Sequence, residues 1–299
     1  MKICYKVPEC YEDQEIYKIL VREFRMSGVM IKKLKFHGAV NLNGVHATVR
    51  EHVHEGDELY LEYGDSEFTL NRIDNIPVLY EDSHYAVVVK PAGIVTHPVH
   101  GHLDDSLLTQ LSERTLHPVM RLDRETSGLI IIAKDGWSHN SIHLYGNISK
   151  KYEALVYGHY SPEEGTIDQP IARRPDSVMI RDVTPGGKES VTLYRTLAYY
   201  PDKDISLVEF TLKTGRCHQI RVHSTYMGHP LLGDGLYGPN SIDNPSDAFP
   251  NSPEMDARMG RVALHAYCLS FTDPFTGENK EFTSPLPQDM EDIISYQTK

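Results

Sequence analysis

An aspartate set among arginines, in Arg121-Leu122-Asp123-Arg124-Glu125-Thr126-Ser127-Gly128, is the segment of this sequence best suited to chemistry. The apolar run Leu129-Ile130-Ile131-Ile132-Ala133 follows it directly. A carboxylate so placed is expected at the edge of a buried strand, held by a Thr-Ser-Gly turn. The bland reading is a plain turn residue, because Asp and Ser-Gly favour turns through local hydrogen bonds. A second segment, Thr214-Gly215-Arg216-Cys217-His218-Gln219-Ile220-Arg221-Val222-His223, also follows a strand-like run. Six of its ten residues carry hydrogen-bonding or charged side chains, which is costly inside a protein unless they are partnered. Arg221 matters most. A cation within about 4–6 Å of a carboxylate lowers its pKa by roughly 1–3 units and keeps it charged. A buried structural ion pair would need the same partner, so both readings stand.

Other motifs carry less. Lys90-Pro91-Ala92-Gly93-Ile94-Val95-Thr96-His97-Pro98 reads as a rigid, irregular loop after a strand. Gly233-Asp234-Gly235-Leu236-Tyr237-Gly238 matches the dinucleotide fingerprint, but that motif needs a long strand before it and a helix after it. Pro230 and Pro239-Asn240 stand where those elements would run. Histidines are plentiful, 16 in all, yet none has the spacing that holds zinc on a rigid element. No metal is expected. There is no G-x-S-x-G elbow and no phosphate-binding P-loop.

These residues need elements to position them. Glu15 to Leu34 has helical periodicity, broken at Ser27-Gly28, with Ser27 as the cap of a second helix. Gly38 to Gly44 predicts a strand and an Asn-Gly hairpin turn, and His54 to Tyr63 ends the unit as a further strand. Gly64 to Asn75 reads as a linker. Beyond Ile76 the runs Val87–Val89, Leu129–Ala133, Leu207–Leu212 and Val262–Leu264 are strand-like, and helical stretches are few and short. The pattern predicts an α+β fold with a large, mainly antiparallel mixed sheet and flanking helices. Residues 1–70 are expected to form a small unit and its linker, and 71–299 the main domain. Asn240 to Met259, rich in Pro, Ser, Asn and Asp, reads as an exposed loop.

The chain has 299 residues, 40% of them hydrophobic and 24% charged, which allows a sizeable core. No apolar run approaches the roughly 20 residues that span a bilayer, and the N-terminus lacks an apolar signal core. Four scattered cysteines make no disulfide framework. A cytoplasmic protein with reduced thiols is expected, and a monomer, since no apolar zipper is apparent. The net charge of −12 argues against a polyanionic partner, but its distribution matters more. Between Ile16 and Arg50 seven basic residues, Lys32, Lys33 and Lys35 among them, face one acid, Glu23. The ordinary reading is a solvated helix face; the imbalance within an acidic chain favours an electrostatic footprint.

Two resemblances organise these observations. Tyr11 to Tyr63 resembles the RNA-binding domain named after ribosomal protein S-four, on Ser27, Lys33, Lys35, Gly38, Asn43-Gly44 and Gly56-Asp57. Ile76 to Met290 resembles the RluA-type pseudouridine synthases. It carries in order Lys90-Pro-Ala-Gly, the Arg121–Gly128 octet, Lys151-Tyr152-Glu-Ala-Leu-Val156, Gly187–Thr192, Thr214–His223, Gly228–Asp234 and Arg261–Ala266. The resemblance implies isomerisation of uridine in ribosomal or transfer RNA, with no metal or cofactor. It implies Asp123 as nucleophile, Tyr152 as the ring against the target base and an aid in removing the proton of carbon 5, and Arg221 as the partner of Asp123. Arg121 would fill the gap left by the flipped uridine, and Lys32, Lys33 and Lys35 would bind RNA. Flipping costs a few kcal/mol, and stacking on an aromatic face returns about 1–3 kcal/mol.

Two positions depart from the family. Met120 stands where a histidine is usual before Arg-Leu-Asp, and Cys217 where Thr or Ser is usual. The runner-up reading is an RNA-binding, ribosome-assembly protein on the same fold that has lost catalysis; a nucleotide-dependent oxidoreductase is a third. Retention of Asp123, Tyr152 and Arg221 favours the isomerase, because an idle site has no need of a costly buried ion pair. Replacing Lys32, Lys33 and Lys35 together by Ala is expected to weaken RNA binding and flatten its salt dependence. Filter-binding titrations between about 50 and 200 mM salt check this; an unchanged slope would remove these lysines from the interface.

Overall fold

The structure, a computed structural model, describes residues 2–63, 68–242 and 245–297. The chain opens with β1 (Lys2–Lys6), β2 (Gln14–Glu15), α1 (Ile16–Arg22) and α2 (Gly28–His37). Next come β3 (Gly38–Leu42), β4 (Val45–His46), β5 (His52–Val53) and β6 (Glu58–Tyr63). Ser27 caps α2, its hydroxyl accepting from the Met30 amide at 3.2 Å. Asn43 and Gly44 take φ of 51° and 78° and turn β3 into β4, the conformation that an Asn-Gly hairpin supplies cheaply. Asp57 then ties this turn to β6, accepting from Asn43 Nδ2 at 2.8 Å and from the His54 amide at 2.7 Å. The sheet runs β1-β6-β3-β4. Ile16, Ile19 and Leu20 of α1 and Ile31 and Leu34 of α2 pack on it with Val40, Leu59 and Leu61. Lys32, Lys33 and Lys35 point away from that core and are exposed.

The expected linker falls partly on residues 64–67, which lie outside the described residues; Phe68 and Leu70 already pack on the next core. The larger part contains β7 (Val78–Glu81), β8 (Tyr85–Lys90), α3 (Leu107–Leu111), β9 (His117–Pro118), β10 (Ser127–Ala133) and α4 (Gly136–Tyr145). It continues through β11 (Ser149–Tyr157), β12 (Glu164–Asp168), β13 (Ile171–Arg173), β14 (Arg181–Val183), β15 (Val191–Tyr200) and β16 (Ile205–Leu212). It ends with α5 (Gln219–Tyr226), α6 (Ser252–Met259), β17 (Leu264–Thr272), β18 (Asn279–Thr283) and α7 (Gln288–Ser295). Ten strands form one sheet with the main path β12-β15-β16-β11-β17-β10-β8-β7. Its ladders are antiparallel except β10 with β17, which is parallel. Every residue of β10 is buried, as a continuous apolar run covered on both faces requires. The expected α+β class, with a large mixed and mainly antiparallel sheet and a small N-terminal sheet, is what the chain forms.

Three local readings are corrected. Ser127 and Gly128 belong to β10, and the turn before it is Asp123–Thr126, closed by the Thr126 amide on the Asp123 carbonyl at 3.1 Å. Val262 and Ala263 precede β17: the Ala263 carbonyl still accepts from Leu155 of β11, but its amide turns to the Leu232 carbonyl, outside the β11–β17 ladder that ends at Leu264. The polar stretch after Asn240 is not loop throughout: Ser252–Met259 is helical and buries Met255 and Met259 on one side. Gly260, at φ 68°, ends that helix.

Helix α4 joins the two parts. Asp135 caps it through the Trp137 and Ser138 amides, both at 2.8 Å. The Trp137 ring is buried in the N-terminal core, and its Nε1 donates to the Phe24 carbonyl at 3.3 Å. Asn140 Nδ2 donates to the Arg25 carbonyl at 3.3 Å. Trp137→Ala is expected to cost about 3 kcal/mol and to speed hydrogen exchange in α1 and α2 while β10 stays protected. Urea unfolding and exchange mass spectrometry check it; unchanged exchange in α1 and α2 would mean that Trp137 does not fasten the N-terminal unit.

Candidate active site

Asp123 lies where β8, β10 and the loop after β8 converge. That loop holds the Asp123 turn from both sides. Thr96 Oγ1 donates to the Leu122 carbonyl at 2.9 Å and accepts from the Leu122 amide at 3.3 Å. On the other side the Gly93 amide donates to the Arg124 carbonyl at 2.9 Å, and Arg124 Nε donates to the Gly93 carbonyl at 3.1 Å. Lys90 is fully buried beneath. Its Nζ donates to the carbonyls of Pro91 and Ile94 at 2.8 Å and of Arg124 at 3.1 Å. Burial pulls its pKa down to about 7, while three carbonyls offer one acceptor to each N–H of the ammonium. Gly128, at φ 116°, lets β17 come close: a Cβ there would lie 2.3 Å from the Ala266 carbonyl oxygen. Ser127 Oγ meets His265 Nδ1 at 2.9 Å across the same pair of strands.

Arg221 comes from α5, whose start is set by His218 in the left-handed conformation at φ 58°. Its guanidinium is buried and reaches Asp123 Oδ2 at 3.8 Å. Its close partner is Asp234: Nε and the second terminal nitrogen donate to the two carboxylate oxygens at 2.7 and 2.6 Å. Asp234 Oδ1 also accepts from the Leu236 and Tyr237 amides at 3.0 Å. Burial opposes the guanidinium's charge, but the hydrogen bonds and charge of Asp234, then the charge of Asp123, outweigh it and hold its pKa above the ordinary value. The Tyr237 ring lies 5.0 Å beneath. Thus Gly233–Gly238, which matched a dinucleotide motif, is a turn that buries the aspartate serving Arg221. No helix follows it directly: residues 239–242 are turn and bend.

His218 Nε2 is also 3.8 Å from Asp123 Oδ2. Burial lowers its pKa, more than the nearby Asp123 raises it, so the permanent cation beside Asp123 is Arg221. Its Nδ1 pairs with the Tyr237 hydroxyl at 2.9 Å. Tyr152, on β11 opposite Phe210, is buried at a bulge against β17. Burial, and then the Asp123 charge, raise its pKa, so the phenol is neutral.

These groups border one cleft of about 740 Å³ that also includes Arg121, Met120 and Cys217. Asp123, Tyr152, Arg221 and Arg121 are therefore brought together, while Lys32, Lys33 and Lys35 lie on the N-terminal unit outside the cleft lining. Met120 is buried in the main apolar core as well as bordering the cleft, a place a thioether fills without needing a hydrogen-bond partner. Arg121 and Cys217 are exposed. Sequence reasoning missed the supports Lys90, Thr96, His218 and Asp234. Asp234 had a signal in Gly-Asp-Gly, but nothing local tied it to Arg221. The cleft presents a carboxylate with a buried cation alongside and a neutral aromatic ring in its lining, a set able to hold a planar base and act on it. Among the described residues no group of three His, Cys, Asp or Glu side chains could hold a metal ion.

Solved structures share this architecture. The human RNA pseudouridylate synthase domain containing 1 protein superposes with a TM-score of 0.56 at 24% identity, over 72% of this chain and 85% of that one. The fold class is that of the pseudouridine synthases. In sequence, the family model described as RNA pseudouridylate synthase matches residues 84–226. YjbO of Bacillus subtilis (strain 168), described as an uncharacterized RNA pseudouridine synthase, is 38% identical over 91% of this chain and 95% of its own length. The ribosomal large subunit pseudouridine synthase D of Pseudomonas aeruginosa is 35% identical over 86% of this chain and 83% of its own. The chain belongs to the RluA family of RNA pseudouridine synthases, and is an isomerase.

Asp234→Asn is expected to lower the rate of isomerisation by about 10–100-fold through a displaced Arg221, and stability by about 3 kcal/mol, since one charge of a buried pair is left uncompensated. Single-turnover assays and urea unfolding check this; full activity would leave Arg221 independent of Asp234.

Proposed function

We propose that this isomerase converts specific uridines of large-subunit ribosomal RNA to pseudouridine, with Asp123 as nucleophile. The observation that carries the reading is the Asp123 carboxylate in the cleft, 3.8 Å from the buried Arg221 guanidinium. The bond between ribose carbon 1′ and uracil nitrogen 1 breaks, a bond from carbon 1′ to carbon 5 forms, the proton of carbon 5 is released and nitrogen 1 takes up one proton. The bond that Asp123 makes to the nucleotide is broken again, which regenerates the carboxylate. Atoms and charge balance without oxidant, metal or cofactor. Arg221 holds Asp123 in place and is itself held by Asp234. Tyr152 stacks on the flipped base; as a neutral phenol it can take the carbon 5 proton only while giving up its own. Arg121, exposed at the cleft, fills the space the uridine leaves in the RNA.

Residues 1–70 serve as an S-four-type RNA-binding domain and 71–299 as the catalytic domain. The exposed α2 lysines, on an otherwise acidic chain, support the first part. The ribosomal target is supported by relatives named as large-subunit synthases, which include those of Pseudomonas aeruginosa and Vibrio parahaemolyticus. The enzyme works as a monomer in the cytoplasm, where that RNA is found. No helix among the described residues is long and apolar enough to cross a membrane.

Tritium release from RNA labelled at uracil carbon 5 tests the reading. Wild-type enzyme is expected to release tritium from unmodified ribosomal transcripts and Asp123→Asn to release none. Release by both would misassign Asp123. Release only from transfer RNA transcripts would replace the target.

A further inference from the structure

The cleft and the α2 lysines are separate, and the surface between them is not ordinary. Three histidines fill it. His117 on β9 and His139 on α4 have ring centroids 6.2 Å apart. His139 and His143, one helical turn apart, are stacked at 6.1 Å and 8°. One end of this row faces the α2 lysines: burial lowers the pKa of His117, and the charge of Lys33 adds to that lowering. The other end borders the Asp123 cleft at His143, beside Asn147 and Lys150. The helix that carries two of the three is the one whose Trp137 and Asn140 grip the N-terminal unit. Its ten residues span about 15 Å, about the reach of four or five stacked bases.

We propose that His117, His139 and His143 form an RNA-contacting track that guides a strand from the α2 lysines to the Asp123 cleft. This rests on the reading that the cleft takes RNA. A metal site is the obvious competitor, since histidines four apart on a helix often share an ion. The geometry argues against it, because no three such side chains among the described residues converge. Among the described residues, Asp135 is the carboxylate that bears on His117, and none bears on His139. Asp135 acts on His117 from the start of α4, but its oxygens are taken by the Trp137 and Ser138 amides and the Ser138 hydroxyl. The remaining neighbours are Lys33 for His117, and His117, His143 and the Pro118 backbone for His139. Burial lowers the pKa of His117 and of His139. At neutral pH His117 therefore offers an N–H donor, while His139, whose N–H is given to the Pro118 carbonyl, offers its other ring nitrogen as an acceptor. Both present flat faces, which suit bases without adding fixed charge.

The test uses the full chain and an unmodified transcript of large-subunit ribosomal RNA. His139→Gln with His143→Ala is expected to raise the Kd about tenfold and leave its salt slope unchanged, with the loss confined to binding when the rate is read at saturating enzyme. His143→Glu, at an exposed position that does not endanger folding, should weaken binding at least as much. A Kd unchanged in both variants would overturn the track, as would a loss confined to the saturating rate. Tritium release by the wild type is read in parallel, so that failure of the isomerase reading is distinguished from failure of the track.

Discussion

A guanidinium buried inside a protein is tolerable only with its charge and its N–H groups matched. Arg221 meets that requirement through Asp234, which accepts from two of its nitrogens and is itself fixed by two backbone amides. Much of the cleft follows from this pair. The turn that supplies Asp234 also supplies Tyr237, whose ring lies against the guanidinium and whose hydroxyl pairs with His218. With Asp234 taking two of its nitrogens, Arg221 keeps a third, at 3.8 Å, for Asp123. That looser contact leaves Asp123 partly open to the cleft and free to meet a ligand.

The Asp123 side is built on the opposite principle, through main chain rather than charge. Thr96, Gly93 and Lys90 bond the carbonyls and amides on either side of Asp123. The carboxylate itself is not spent in holding the turn. Rigid backbone support with an uncommitted carboxylate suits the role proposed for Asp123, because positioning within a fraction of an ångström must come from the surroundings. The fully buried strand β10 then ties this turn to the middle of the large sheet.

Charge is distributed to match. The chain is acidic overall, yet the exposed α2 lysines and the cleft with Arg121 and Arg221 are basic. Helix α4 sets the distance between them, because its first turn is locked into the N-terminal core and its last borders the cleft. The spacing of the two basic surfaces is thus a property of packing around Trp137.

Local signals were legible wherever the physics is local. Ser27 as a helix cap, Asn43-Gly44 as a hairpin turn and the apolar run into β10 each depend on a few neighbouring residues, and each formed. The ordered motifs around Asp123, Tyr152 and Arg221 pointed to one family before any contact was known. Composition misled where a few buried residues outweigh many polar ones: Met255 and Met259 make a helix of a segment that reads as loop. Ser127-Gly128 read as a turn because Ser and Gly favour turns, while in the fold Gly128 is needed for the close approach of β17. What the sequence by itself determined is the fold class, the family and which segments carry the candidate site residues. What only the tertiary structure decided is which partners those residues have: Asp234 for Arg221, Lys90 and Thr96 for the Asp123 turn, and Trp137 for the N-terminal unit. Such pairings join segments distant along the chain, and depend on how strands are ordered in the sheet, which no local spacing encodes.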